Sequence, residues 1–240
     1  MAHGRSLQTI DRLRAEIAQA CRELAGAGLV CGLAGNVSAR AGDLVAVTPT
    51  GGRLATLGAG DIAIVDREGG LVDAPLAPTS ELPFHLAIYA RYDAGAIVHT
   101  HPPMATAVAC VADELPCIHY ALLALGGNVR VARYATFGTD DLAARVVDAL
   151  EGRTAALMAS HGAVTYGTDL RAAIDATELL EWACGVYVHA RACGTPRVLA
   201  EDERQAVVDA LDAHDYGRMR SPEPNRPSTR TGGPEGPPVA

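Results

Sequence analysis

The segment Ile97-Val98-His99-Thr100-His101 holds the residues best spaced for chemistry. Side chains alternate across a strand, so His99 and His101 project to one face, about 6–7 Å apart along it. That spacing lets two imidazoles converge on one metal ion. Taken alone, an HxH pair fits equally well two half-exposed polar residues at a strand end. His161 shifts the balance, because it directly follows the apolar run Ala155 to Ala159, in Ser160-His161-Gly162, where the chain turns. Three histidines at strand ends point to a catalytic zinc site with an open fourth position. A structural zinc site would more often use cysteine, and none adjoins these histidines. Such a donor set also accepts other divalent ions.

Glu81, in Ala77-Pro78-Thr79-Ser80-Glu81, suits a metal ligand or general base, and suits equally a first-turn carboxylate set against a helix dipole. Gly35-Asn36-Val37-Ser38 and Thr48-Pro49-Thr50-Gly51-Gly52 combine hydroxyls, an amide and flexible backbone. Segments of this kind cradle phosphate through N–H groups, and more commonly just turn the chain. All 20 Lys+Arg residues are arginine. With no lysine, Schiff-base chemistry is excluded. HExxH is absent, which argues against a zinc peptidase.

Several elements must position these groups. Leu7, Ile10, Leu13, Ile17, Cys21 and Leu24 form one helical stripe over residues 6–26, ending at Gly26 and Gly28. Strands are expected at 44–48 and 62–66, with a hairpin turn at Glu68-Gly69-Gly70. Residues 81–91 read as a helix capped by Thr79 or Ser80, with Pro83 tolerated in its first turn. Strand 96–101 and helix 104–111 follow, then strand candidates at 115–119 and 129–131. Helix 140–150 closes at Gly152, 155–159 is a buried strand, and 170–192 is the longest helix, stopped by Gly194 and Pro196. A last helix spans about 201–211. Interleaved strands and helices make the class α/β.

The chain has 240 residues, 49% of them hydrophobic, enough for one well-filled domain. A net charge of -8 argues against a nucleic-acid or anionic-membrane binder, though not against a small phosphorylated substrate. No signal-like stretch opens the chain and no apolar run nears the roughly 20 residues of a membrane span, so a cytoplasmic location is expected. The six cysteines show no CxxC pair and read as reduced thiols. Past Tyr216 the composition turns rich in Pro and Gly, so residues 1–219 read as the domain and 220–240 as a disordered tail.

Seven segments together resemble the class II aldolase and adducin family, in family order: Ala34-Gly-Asn-Val-Ser38, Thr48-Pro-Thr-Gly51, Thr79-Ser-Glu81, Val98-His-Thr-His101, Ile118-His-Tyr120, Tyr134-Ala-Thr-Phe-Gly-Thr139 and His161-Gly162. The resemblance covers about residues 13–216. It implies a three-layer α/β/α sandwich around a mixed, mainly antiparallel sheet. His99, His101 and His161 become Zn2+ ligands, with Glu81 as ligand at rest and acid/base in turnover. Asn36, Thr50, Gly51, Thr79 and Ser80 become the grip on a substrate phosphate. Tyr120 becomes a proton donor entering a neighbouring subunit's site, and Tyr216 the tyrosine of a mobile C-terminal segment.

The resemblance further implies a homotetramer that cleaves a ketose 1-phosphate, L-fuculose 1-phosphate or a close analogue, to dihydroxyacetone phosphate and a small aldehyde. Alternatives within the family are an aldolase for 5-deoxypentulose 1-phosphates, an epimerase, a dehydratase or a decarboxylase. Epimerases tend to carry aspartate in place of Glu81. An adducin-like interaction domain lacks the metal ligands present here. Thr79 stands where relatives often have serine, and Pro102-Pro103 after His101 is a second departure.

Overall fold

A computed structural model describes residues 2–213, with side chains from residue 9 onward. Helix α1 (Ala2–Gly26) opens the chain. Leu13, Ile17, Cys21 and Leu24 of its expected stripe are buried. Strands β1 (Asn36–Ala41), β2 (Leu44–Val47), β3 (Ala63–Asp66) and β4 (Leu71–Asp73) follow. Then come α2 (Leu82–Arg91), β5 (Ala96–Thr100), α3 (Pro103–Ala109), β6 (Glu114–Leu115) and β7 (Val129–Ala132). The chain continues through α4 (Asp140–Ala149), β8 (Ala155–Met158), β9 (Gly162–Gly167), α5 (Leu170–Cys193) and α6 (Glu201–Ala213).

The strands form one sheet in the order β4-β3-β2-β1-β5-β9-β8-β7-β6. Every neighbouring pair is antiparallel except β7 with β8. The sheet is therefore mixed and mainly antiparallel, as the resemblance implied. Helices cover both faces. On one, α1 and the N-terminal half of α5 pack on Val37, Ala39, Ala46 and Val98, while α3 and the rest of α5 pack on Ala155, Leu157 and Ala163. On the other, α2 and α4 bury Val45, Val65, Ile97, Ala156 and Val164. Alternation along each strand thus sends apolar side chains both ways, the pattern of a three-layer sandwich.

Four expectations change. Asn36 to Ser38 lie on β1 rather than in a turn, since β2 and β5 pair with them on either side. The segment 162–167, not foreseen as a strand, is β9 and holds the sheet centre beside β5. The strand expected at 115–119 shrinks to Glu114–Leu115, because Pro116 has no N–H to continue the ladder. A 3-10 turn at Tyr120–Leu125 follows it. The N-cap position of α2 is Glu81, not Thr79 or Ser80, and Glu81 makes no side-chain capping bond. Thr79 Oγ1 instead accepts from the Glu81 N–H at 3.2 Å. The segment 220–240 lies outside the described residues.

Candidate active site and metal centre

Three adjacent strands and one helix start bring the candidate groups to the C-terminal end of β5. Asn36 on β1 pairs directly across from His99 on β5, so their side chains share a face. His101 follows β5 on that same face. Glu181 of α5 holds the chain just beyond, accepting the Met104 and Ala105 N–H groups at 2.9 and 2.8 Å. This fixes the first turn of α3, which follows Pro102 and opens on Pro103. His161 sits at the turn between β8 and β9, preceded by Ser160 at φ 53. A left-handed non-glycine residue is a strained choice that the surrounding sheet must enforce.

Gly35 and Gly162 let backbones close on this point. A Cβ on Gly162 would meet Thr100 O at 2.5 Å and the His101 ring at 2.8 Å. One on Gly35 would meet His99 O at 2.9 Å, at a φ of +98 that already disfavours side chains.

The ring nitrogens of His99, His101 and His161 lie within 4.8 Å of one another. His99 Nδ1 is 2.8 Å from Ala163 O, so that nitrogen donates and Nε2 is the ring nitrogen left facing the site. Nε2 of His101 lies 2.9 Å from it. Glu81 Oε2 is 3.1 Å from His99 Nε2 and 2.9 Å from Asn36 Nδ2. Oε1 is 3.4 Å from His161 Nε2 and is buried without a hydrogen-bond donor among the described residues.

Electrostatics favour a cation here. Burial raises the Glu81 carboxyl, but the His99 ring, the Asn36 amide and His161 outweigh it and bring the pKa down to about 2. Burial, then the charges of His99 and His161, pushes His101 down to about 3. His161 is lowered too, by burial first and His99 second. Imidazoles facing an anionic carboxylate, one of whose buried oxygens lacks a hydrogen-bond donor among the described residues, make a fitting donor set for a divalent metal ion.

A cavity of about 350 Å³ opens beside these groups. Asn36, Thr50, Gly51, Thr79, Ser80, Glu81, His101 and His161 line it, together with Leu33 and Phe137. His99 lies behind, fully buried. The N–H groups of Thr50 and Thr79 bond Ala77 O and Thr48 O, which pins the two loops together. Those of Gly51 and Ser80 take no backbone partner among the described residues. Tyr120 is not among the residues brought together: it is 55% exposed and stacked on His119. Tyr216 lies outside the described residues.

Two features went unread in the sequence. Phe137, 64% exposed, overhangs the cavity because Gly138 packs close against Ser80 O. His85 and Tyr89 stand four and eight residues after Glu81, a spacing that puts all three on one helix face and was legible as such.

Comparison with known proteins places the chain in a class. Residues 15–188 match the family described as Class II Aldolase and Adducin N-terminal domain. The chain belongs to this family, and on its catalytic side: it is a class II aldolase. It is 39% identical over 213 residues to a 5-methylthioribulose-1-phosphate/5-deoxyribulose-1-phosphate aldolase of Rhodospirillum rubrum, covering 88% of this chain and 96% of that one. It is 38% identical over 200 residues to the L-fuculose phosphate aldolase of Escherichia coli, covering 82% and 93%. A solved L-fuculose 1-phosphate aldolase matches with a TM-score of 0.80 at 34% identity, over 84% of this chain and 96% of that one.

Proposed function

We propose that this aldolase cleaves a deoxyketose 1-phosphate to dihydroxyacetone phosphate and a small aldehyde, with zinc held by His99, His101, His161 and Glu81. The convergence of these four side chains on one cavity walled by the Thr50-Gly51 and Thr79-Ser80 loops carries the reading. A divalent ion held there supplies a Lewis acid for the substrate's carbonyl and hydroxyl oxygens. Asn36, Thr50, Gly51, Thr79 and Ser80 grip the phosphate through hydroxyls, an amide and backbone N–H groups, in a chain without lysine.

In cleavage the Tyr120 hydroxyl of a neighbouring subunit takes the proton of the C4 hydroxyl as it passes its own to water, the C3–C4 bond breaks, and its electron pair stays on C3. Glu81 takes up a proton from water once it is displaced, delivers that proton to C3 and returns to the carboxylate, and its surroundings suit such a carrier. Contact with His99, Asn36 and His161 lowers the carboxyl, and once those contacts loosen only burial acts, which raises it. The exposure of Tyr120 away from its own cavity supports a cyclic tetramer in which it serves the next subunit. A cytoplasmic enzyme is the fitting setting, and no helix among the described residues is long and apolar enough to cross a membrane.

Two substrates share the needed chemistry. L-fuculose 1-phosphate and 5-deoxypentulose 1-phosphates both end in a methyl group, which suits the apolar wall of Leu33 and Phe137. The second is favoured by the match to the Rhodospirillum rubrum protein. An assay of dihydroxyacetone phosphate release from both, through an NADH-consuming reductase with and without chelator, decides. Chelator-sensitive release from either establishes the metal-dependent cleavage and ranks the two. Absence of release from zinc-loaded protein with both would sink the proposal and turn attention to epimerase and decarboxylase substrates.

A further inference from the structure

Behind the site Tyr89, Ser38 and His85 form a buried polar chain that ends on Asn36 and Glu81. Ser38 Oγ lies 2.8 Å from Tyr89 OH and 2.7 Å from His85 Nδ1. His85 Nε2 lies 2.5 Å from Asn36 Oδ1, and Asn36 Nδ2 lies 2.9 Å from Glu81 Oε2. Ser38 and His85 are fully buried, Asn36 and Tyr89 nearly so.

The direction of every bond in this chain follows from its last member. A carboxylate can only accept, so the Asn36 NH2 group must face Glu81 and the amide oxygen must face His85. His85 Nε2 must then carry the proton. Burial first, and the charge of His99 second, holds this ring neutral, with a pKa of about 3. Its Nδ1 is therefore an acceptor, Ser38 donates to it, and Tyr89 donates to Ser38. Such a one-way run of donors reinforces itself in a low-dielectric interior.

We infer that His85 is a positioning residue for Glu81: held in its Nε2–H tautomer by Ser38 and Tyr89, it locks the Asn36 amide in the one orientation that donates to the carboxylate. The inference rests on the reading of Glu81 as metal ligand and proton carrier. Without the His85 donor, Asn36 is free to turn its oxygen toward Glu81, which repels the carboxylate from its place beside His99 and His161.

The test combines spectroscopy with substitution. In 15N-histidine-labelled protein, the His85 resonances, assigned by their loss in H85Q, should show the proton on Nε2. In Ser38→Ala that confinement should relax. His85→Leu should weaken zinc affinity, measured by competition with a chromogenic chelator, and lower kcat, each by roughly 10- to 100-fold. His85→Gln, whose amide sets a donor where Nε2–H stood, should restore most of both. A proton on Nδ1 overturns the inference, and so does equal damage from Gln and Leu, which would mean that only the volume of the ring matters. Because H85L is the variant most prone to misfold, the spectroscopic result and the near-wild-type zinc affinity and kcat expected of H85Q stand without it. Glu81→Gln, run alongside, separates the two failures. If it turns over normally, the reading of Glu81 falls. If it is impaired while H85L matches the wild type, only the inference falls.

Discussion

Glu81 holds opposed tendencies in one carboxylate. It is 7% exposed, yet its neighbours keep it an anion with a pKa of about 2. Replacing it by glutamine removes the charge while keeping the shape. Stoichiometric zinc should remain at saturating metal, while turnover and proton exchange on dihydroxyacetone phosphate fall about 100- to 10,000-fold. Exchange measured by NMR checks this, and an unchanged rate would remove Glu81 from its role. The buried histidines set the acid stability of the metal-free protein. His85 and His101 sit at about 3 against an ordinary 6.5. Between those values the unfolded chain binds protons that the fold refuses. Stability is therefore fully present above 6.5 and lost as pH falls below it, by about 1.4 kcal/mol per pH unit for His85 alone. Calorimetric melting of metal-free protein at about pH 7 and about pH 5 should show the drop, and zinc should offset it.

At the scale of elements, the site depends on how closely β5 and the β8–β9 turn approach. Gly162 makes that approach possible, since a Cβ there would overlap Thr100 O and the His101 ring. Gly162→Ala should cost about 1–3 kcal/mol by overpacking and weaken zinc binding at the same time. Thermal melting together with metal titration reads both, and a variant with wild-type zinc affinity would show that the turn can yield without moving His101 or His161. Thr139 offers a contrast, because it caps α4 by accepting the Leu142 N–H at 3.2 Å and does not line the cavity. Thr139→Ala should cost about 1 kcal/mol of stability and leave zinc affinity alone.

For the whole molecule, the decisive question is whether one subunit completes another's site. Tyr120 stacks on His119, which in turn meets Trp182 edge-on at 4.8 Å, and both Tyr120 and Trp182 are exposed. Exposed aromatics grouped this way suit a subunit interface. If Tyr120 acts in trans, Tyr120→Phe and His99→Ala should each be nearly inactive. Refolded as a mixture, they should regain part of the activity, since some sites then draw an intact histidine set and an intact tyrosine from different chains. Sedimentation should show tetramers throughout. Tetramers without recovered activity would return Tyr120 to a structural role.

Local pattern alone determined much of this protein. The spacing of His99 and His101, the position of His161 after an apolar strand and the stripe of α1 all follow from strand and helix periods, which act within a few residues. The order of segments was enough to indicate the family and its mixed sheet. What local pattern could not supply was adjacency. Asn36 read as part of a turn because nothing nearby in sequence shows that β2 and β5 flank it. The segment 162–167 carries Gly, Thr and Tyr in place of a clear alternation, and it becomes β9 because the sheet needs a strand between β5 and β8. Glu81 fitted a helix-dipole role as well as a chemical one until the tertiary structure turned it toward His99 and His161. The chain from Tyr89 to Glu81 joins α2 to β1 across more than forty residues of sequence. Its bonds depend on side chains that meet only after the sheet and helix have packed, so only the tertiary structure could decide them.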